Sequence, residues 1–170
     1  MLVHGGAGGI GHVAVQIARA RGAEVFATSS PARMEAVERL GATAIDYTTA
    51  AVEEYVAKYT GGEGFDVVFD TVGGPVLDAS FASVRTYTGH VLSALGWGTH
   101  SIAPLSFRGA LTGRGRDHRG EILREAAALA DAGALKPLLD SRRFTLATVA
   151  DAHAAVESGT TQGKVVIDND

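Results

Sequence analysis

The order of elements in this 170-residue chain is clearest in residues 2–20, LVHGGAGGIGHVAVQIARA. Five glycines fall within seven residues, between a short apolar run at 2–4 and a run of helical periodicity at 12–21. Val13, Ile17 and Ala20 share one face of that predicted helix, and Gly22 ends it. The pattern therefore predicts a strand, a tight glycine turn and a helix, in that order.

The glycines at positions 6, 8 and 11 fit the G-x-G-x-x-G pattern of dinucleotide-binding turns. In such a turn one glycine makes the bend, one admits a pyrophosphate close to the backbone, and one lets the helix pack on the sheet. Free N–H groups and the helix dipole favour an anion there. A side chain at Gly8 is expected to meet the pyrophosphate and to require a φ that glycine alone adopts readily. The alternative is a tight turn that binds no ligand.

Short apolar runs and helical segments alternate along the rest of the chain. Predicted strands occupy residues 25–28, 43–47, 65–70, 90–95 and 163–167, with a weaker candidate at 105–114. Predicted helices occupy residues 31–40, 52–58, 77–84, 122–132 and 149–158. Ser30 is the expected N-cap of the first of these helices, and Thr148 with Asp151 forms an expected capping box before the last. The alternation predicts an α/β fold, a doubly wound parallel Rossmann sheet with helices on both faces.

The composition restricts the class of function. Hydrophobic residues make up 46% of the chain, and its formal net charge of -4 argues against nucleic acid or an anionic membrane surface as partner. The chain has no cysteine, which excludes disulfides and thiolate zinc sites. Its six histidines lack close ligand spacing, so no metal site is predicted. No signal peptide or membrane-spanning run is evident, so a cytoplasmic location is expected.

The end of the second predicted strand indicates which nucleotide is bound. An NAD site normally has an acidic residue there, which binds the ribose 2′-hydroxyl. This chain instead has the neutral residues Thr28, Ser29 and Ser30, followed by Arg33. Hydroxyls and a guanidinium suit a 2′-phosphate, which a carboxylate would repel. The sequence therefore favours NADP(H), although Arg33 taken alone could be an ordinary surface charge.

The same loop also fits the G-x-x-x-G-I-G pattern of short-chain dehydrogenases at positions 5, 9 and 11. That family requires a Tyr-x-x-x-Lys catalytic pair. The nearest approach here is Tyr55 with Lys58, which is one residue too short and lies too early in the chain. The short-chain interpretation is therefore rejected.

Four segments together resemble the medium-chain dehydrogenase/reductases, most closely their zinc-independent NADPH:quinone oxidoreductase group. The segments are GGAGGIGHVAVQIARARGA, ATSSPARMEAVERLGATAIDY, GFDVVFDTVGG and AHAAVESGTTQGKVVI, in the family's order and across nearly the whole chain. The resemblance implies a six-stranded Rossmann sheet. It also implies hydride transfer from NADPH to a quinone, an enone or a related carbonyl acceptor.

The resemblance also implies a set of site residues. Those expected to bind the cofactor are Gly6, Gly8, Gly9, Ile10 and Gly11 in the loop, Ser29, Arg33 and Tyr47 around the 2′-phosphate, Thr71, Val72 and Gly73 beside the adenosine, and Leu95 and Gly96 at the nicotinamide ribose. Gly8 and Gly11 would cradle the pyrophosphate. For Tyr47 the alternative is ordinary packing at a strand end. Asp70 is expected to shape its loop rather than to form a catalytic pair with Asp78.

Family members carry an N-terminal barrel domain, and this chain starts at the first Rossmann strand. Residues 1–134 are therefore expected to form the NADP-binding domain, and residues 135–170 a segment that in the family returns to the barrel. We expect the cofactor-binding portion of a quinone or enone reductase with a small-molecule acceptor, assembled as a homo-oligomer, for instance a dimer. Apolar residues such as Leu138, Leu139, Val165 and Ile167 are expected to be partly uncovered. No catalytic residue is assigned. The alternative is a non-catalytic NADPH-binding module.

Overall fold

A computed structural model describes residues 1–94 and 119–169. Within them, five parallel strands form one sheet in the order β3-β2-β1-β4-β5. The strands are β1 (Leu2–His4), β2 (Phe26–Ser29), β3 (Thr43–Asp46), β4 (Val67–Asp70) and β5 (His90–Ser93). The predicted parallel α/β sheet is confirmed. The weaker strand candidate at 105–114 lies outside the described residues, so the sixth strand implied by the resemblance stays a prediction.

Helices cover both faces of this sheet. They are α1 (Gly11–Ala20), α2 (Met34–Arg39), α3 (Val52–Thr60) and α4 (Val76–Ser83). Leu2 and Val3 are adjacent and both fully buried, because side chains alternate across a strand. Val3 packs in one core with Val15 of α1 and Val37 of α2. Leu2 packs in a second core with Tyr55 and Val56 of α3.

The central strand β1 lies at the point where the sheet reverses its order. The chain runs from β1 outward through β2 to β3, and then crosses back to β4 and β5 on the other side. The loops that leave β1 and β4 therefore diverge and open a crevice at the carboxyl edge of the sheet. Ligands of doubly wound folds bind at such a switch point, and the glycine turn follows β1.

The predicted helix at 31–40 differs in detail from the structure. Pro31–Arg33 forms a 3₁₀ turn, and α2 begins only at Met34. Ser30 has extended backbone angles and precedes Pro31 as predicted, but its side chain makes no capping hydrogen bond. The tight first turn therefore leaves the Ser30 hydroxyl available for other partners.

The C-terminal part differs more from its prediction. It contains α5 (Arg119–Asp131), β6 (Phe144–Thr145), α6 (Val149–Glu157) and β7 (Ile167–Asp168). The final strand is not at 163–167. Only β7 pairs with β6, while Lys164 makes an isolated bridge with Leu139.

The predicted capping box of Thr148 with Asp151 is also wrong. The Thr148 side chain instead accepts the N–H of Thr145 at 2.9 Å, one 3₁₀ turn earlier. Thr148 itself makes no side-chain capping bond at the start of α6. The hydroxyl satisfies the turn that precedes the helix, and so it is not available to cap α6.

Hydrogen bonds with α1 and with the glycine turn help to hold the C-terminal part to the sheet domain. The Gln16 side chain of α1 donates to the carbonyl of Lys136 and accepts its N–H, both at 2.8 Å. Gly163 donates its N–H to the carbonyl of Ala7 in the glycine turn at 2.9 Å. The segment therefore lies against the glycine turn. Leu139 is 47% exposed, while Leu138, Val165 and Ile167 are half-buried, as expected. None of the helices in residues 1–94 and 119–169 is long and apolar enough to cross a membrane.

Candidate functional site

A cavity of about 660 Å³ opens at the carboxyl edge of the sheet, beside the glycine turn. It is lined by many of the residues expected to bind a cofactor, namely Gly8, Gly9, Ile10, Ser29, Arg33, Tyr47, Thr71 and Val72. Gly6, Gly11 and Gly73 do not line it. Leu95 and Gly96 lie outside the described residues. The structure thus brings the loop, the end of β2 and the segments after β3 and β4 around one space.

The glycines of the turn have different roles. A Cβ at Gly6 would lie 2.5 Å from the Cβ of Ala27, and a Cβ at Gly11 would lie 2.1 Å from the carbonyl oxygen of Gly5. These two positions need glycine for packing against β2 and for the close approach of α1 to the turn. Gly5 has a φ of 75° and makes the bend. Gly8 does not have a positive φ, so the expectation of a glycine-only conformation there is wrong. The requirement at Gly8 is one of space alone.

Side chains of neighbouring elements anchor the turn. Thr28 of β2 accepts the N–H of Gly5 on its hydroxyl at 3.1 Å, and its carbonyl accepts the N–H of Gly6 at 3.0 Å. The His12 Nδ1 donates to the carbonyl of Gly8 at 2.8 Å, because a carbonyl can only accept. Sequence reasoning missed His12. The sequence feature that could have indicated this role is the position of His12 in the first helical turn, four residues after Gly8.

The corner after β2 carries polar groups suited to an anion. Ser29 is 4% exposed and lines the cavity, and its hydroxyl has no hydrogen-bond partner among the described residues. Buried hydroxyls are normally paired, so a ligand atom is the natural partner. Arg33 lines the same cavity, and its guanidinium donates to the carbonyl of Gly159. Tyr47 is 60% exposed, which argues against simple packing at a strand end.

Asp70 shapes the loop after β4, as predicted. One oxygen of its fully buried carboxylate accepts the N–H of Val72 at 2.8 Å and of Gly73 at 3.0 Å. Thr71 donates its hydroxyl to the carbonyl of His4 at 2.6 Å. These bonds fix Thr71 and Val72 at the cavity rim. Because the carboxylate is used in this way, Asp70 is a loop-shaping residue rather than half of a catalytic acid pair.

The charge of the cavity wall is one-sided. Arg33 and Lys164 line it, and no Asp or Glu does so among the residues the structure describes. His4, at the cavity floor, is buried, and this burial lowers its pKa, with partial opposition from the Asp70 charge. His4 is therefore neutral near pH 7. The two cations without a carboxylate favour a ligand with several negative charges.

Lys164 was not among the predicted site residues. Its Nζ lies 3.3 Å from the position that a Cβ of Gly9 would occupy, so the ammonium group is directly beside the glycine turn. Gly163, the preceding residue, is hydrogen-bonded to that turn. The sequence feature that could have indicated Lys164 is the Gly-Lys pair before the last apolar run. That feature alone does not show which edge of the sheet the pair lies against.

The chain belongs to the zinc-binding dehydrogenase family, whose sequence profile matches residues 40–167. The tomato (Solanum lycopersicum) 2-methylene-furan-3-one reductase is 34% identical over 171 residues, which cover 98% of this chain and 39% of that protein. An NADPH-dependent alkenal/one oxidoreductase of Arabidopsis thaliana is also 34% identical, with 98% and 40% covered. The chain thus spans about two fifths of the length of these relatives.

Solved structures agree with the fold. An alcohol dehydrogenase superfamily protein from Novosphingobium aromaticivorans superposes with a TM-score of 0.80 at 47% identity, over 98% of this chain and 55% of that one. A quinone oxidoreductase of Pseudomonas syringae gives 0.78 at 26% identity, over 98% and 55%. The resemblance to the medium-chain dehydrogenase/reductases is therefore confirmed.

The family's name mentions zinc, but the described residues do not fit such a site. They contain no group of three His, Cys, Asp or Glu side chains that could hold a metal ion. The whole sequence also lacks cysteine, which supplies the thiolate ligands of many structural zinc sites.

Proposed function

We propose that this chain binds NADPH in the cavity and forms the cofactor-binding part of an oxidoreductase that transfers hydride to a quinone or enone. The observation that carries this proposal is the unpaired, buried Ser29 hydroxyl in a cavity that Arg33 also lines and to which no Asp or Glu of residues 1–94 and 119–169 contributes. A ribose 2′-phosphate would satisfy both groups, whereas the 2′-hydroxyl of NADH would normally require an acid at this point.

Each part of the cofactor has its own group of residues. Gly8 and Gly9, the N-terminus of α1 and Lys164 would bind the pyrophosphate through backbone N–H groups, helix dipole and charge. Ser29, Ser30, Arg33 and Tyr47 would surround the 2′-phosphate. Ile10, Thr71, Val72 and Gly73 would border the loop and the adenosine, and Leu95 and Gly96 the nicotinamide ribose. Gly6 and Gly11 act through packing, which supports the turn.

The cofactor, when bound, supplies the hydride, and the chain supplies binding and orientation. The enone-type acceptor is supported by the names of the two plant relatives, which describe reductases of a methylene-furanone and of alkenals or alkenones. We further propose a cytoplasmic location and a homo-oligomer such as a dimer. Residues 1–134 would form the dinucleotide-binding domain, and residues 135–170 the segment that in the family returns to an N-terminal barrel.

Arg33→Ala should weaken NADPH binding and leave NADH binding nearly unchanged. Loss of a charge-assisted contact to a phosphate costs about 1.5–3 kcal/mol, or roughly tenfold to more than a hundredfold in affinity. Calorimetric titration of both cofactors measures the effect. Arg39→Ala is the matched control, because Arg39 pairs with Glu35 within α2 and does not line the cavity. Equal losses for both cofactors, or tighter NADH binding by the unaltered chain, would contradict the assignment.

Lys164→Ala should weaken NADPH and NADH binding by the same factor, about tenfold. Its ammonium group lies beside the glycine turn, where the pyrophosphate common to both cofactors would bind. Lys136→Ala is the control, because Lys136 contacts α1 through its backbone only and that contact survives the change. A selective loss of NADPH affinity would instead indicate that Lys164 contacts the 2′-phosphate.

A further inference from the structure

Asp140 lies in the C-terminal segment, away from the cavity wall, and it holds two stretches of that segment together. One carboxylate oxygen accepts the backbone N–H and Nε of Arg142, at 3.0 and 2.8 Å. The other accepts an Arg142 terminal nitrogen at 3.1 Å and the N–H of Gln162 at 2.8 Å. The Asp140 side chain is only 5% exposed. Its hydrogen bonds to Arg142 hold the pKa of the carboxyl well below its usual range, so Asp140 is charged at neutral pH.

The backbone of Asp140 and of Leu138, two residues earlier, is hydrogen-bonded to Lys164. The N–H of Asp140 donates to the carbonyl of Lys164 at 2.9 Å, and the N–H of Lys164 donates to the carbonyl of Leu138 at 2.8 Å. With the Gln162 contact, residues 162 and 164 are both tied to 138–140. The position of the Lys164 backbone is therefore set by its pairing with this short stretch.

Gly163, which lies between Gln162 and Lys164, contacts the glycine turn. Gly163 donates its N–H to the carbonyl of Ala7, and its own carbonyl oxygen lies 3.2 Å from the position of a Cβ at Gly9. Gly163 has a φ of 63°, and a Cβ there would lie 2.0 Å from the carbonyl oxygen of Leu138. Only glycine permits this close approach of residue 163 to Leu138, in the conformation in which its N–H reaches Ala7.

We propose that Asp140 is a positioning residue which, through Gln162 and the pairing of 138–140 with 164, holds the Lys164 ammonium against the glycine turn. The role of Lys164 toward the cofactor rests on the proposed function. Asp140 itself does not line the cavity. It acts through Lys164. Loss of the Asp140 carboxylate should therefore weaken cofactor binding in the same way as loss of the Lys164 side chain, but to a smaller extent.

Asp140→Asn tests the proposal by a double-mutant cycle with Lys164→Ala. The amide has only one acceptor oxygen, so it loses either the Gln162 contact or the two bonds from the Arg142 backbone N–H and Nε, and its NH₂ group then faces a donor. Alone, it should weaken NADPH and NADH binding equally, by about threefold to tenfold. In the Lys164→Ala chain it should cause no further loss. Asp168→Asn is the control, because it breaks an Asp–Arg pair on the same segment with Arg143. Unchanged affinity in folded Asp140→Asn, or an equal loss in both backgrounds, would overturn the proposal.

A second measurement does not need the cofactor. Hydrogen exchange at the Gly163 amide, which is bonded to Ala7, should be at least about tenfold faster in Asp140→Asn than in the unaltered chain or in Asp168→Asn. Unchanged protection would refute the positioning role. If the unaltered chain binds neither cofactor, the proposed function fails, and this exchange rate alone then decides the positioning role. Arg142→Lys replaces Asp140→Asn in this measurement if the latter does not fold. It keeps the charge but loses the forked contact to Asp140, and it should also make exchange at the Gly163 amide faster.

Discussion

Gly8→Val should abolish NADPH binding in a chain that stays folded. Gly8 lines the cavity, and a Cβ there would already lie 3.1 Å from the carbonyl oxygen of Gly5. The two γ-methyls of valine would then fill the space that a pyrophosphate requires beside the α1 N-terminus. The backbone at Gly8 has no positive φ, so the cost in free energy of unfolding should stay within about 1–2 kcal/mol.

Calorimetry gives the affinity in this experiment, and urea unfolding gives the stability. Gly120→Val is the control, because Gly120 is an exposed helical glycine whose Cβ would meet nothing among the described residues closer than an Arg124 nitrogen at 3.6 Å. NADPH binding retained by a folded Gly8→Val chain would show that the turn serves packing only, which is the alternative that the sequence leaves open.

Gly11→Ala should destabilise the fold itself, although alanine is the better helix former. Its Cβ would lie 2.1 Å from the oxygen and 2.8 Å from the carbon of the Gly5 carbonyl, and 3.0 Å from the Gly6 Cα. These are backbone atoms of a turn that Thr28 and the strands hold in place. Overpacking of this kind costs about 3 kcal/mol. The start of α1 must then move away from the turn, so NADPH affinity should also fall by more than about tenfold.

The comparison for this experiment is Gly120→Ala. In that exposed helix an added methyl meets no close contact, and the expected change is a gain of up to about 1 kcal/mol. Urea unfolding of both variants measures the difference. A Gly11→Ala chain as stable as the unaltered protein would mean that α1 does not need to approach Gly5 so closely.

The sheet could be predicted because its signals are local. The glycine turn, the buried strand 67–70 and the helix-ending glycines each report on a few neighbouring residues. The carboxyl edge of parallel strands then fixes where Ser29 and Thr71 must lie, and both reach the cavity. Boundaries were less accurate where a short partner decides the pairing. The apolar run at 165–167 yields only the two-residue strand Ile167–Asp168, since β6 is itself only two residues long.

The contributions of Lys164, Asp140 and His12 could not be predicted in this way. Periodicity identifies the kind of element, but it does not say to which loop a distant segment returns. Lys164 reaches the site through the contact of Gly163 with Ala7 and through its own pairing with Leu138 and Asp140. The separate roles of Gly8 and Gly11 within the turn could not be predicted either, because the two glycines look alike in the sequence. One borders the cavity and the other is needed for backbone packing.

The contact between Gly163 and Ala7 joins residues that lie far apart in the sequence. The glycine turn, β1 and α1 are synthesised before residues 160–164, which follow almost the whole sheet domain. Bringing such distant residues together carries a loop-closure cost and slows folding. A nascent chain can therefore complete its sheet before Lys164 joins Arg33 at the cavity wall. The proposed nucleotide site is complete only when the later segment has closed on the earlier one.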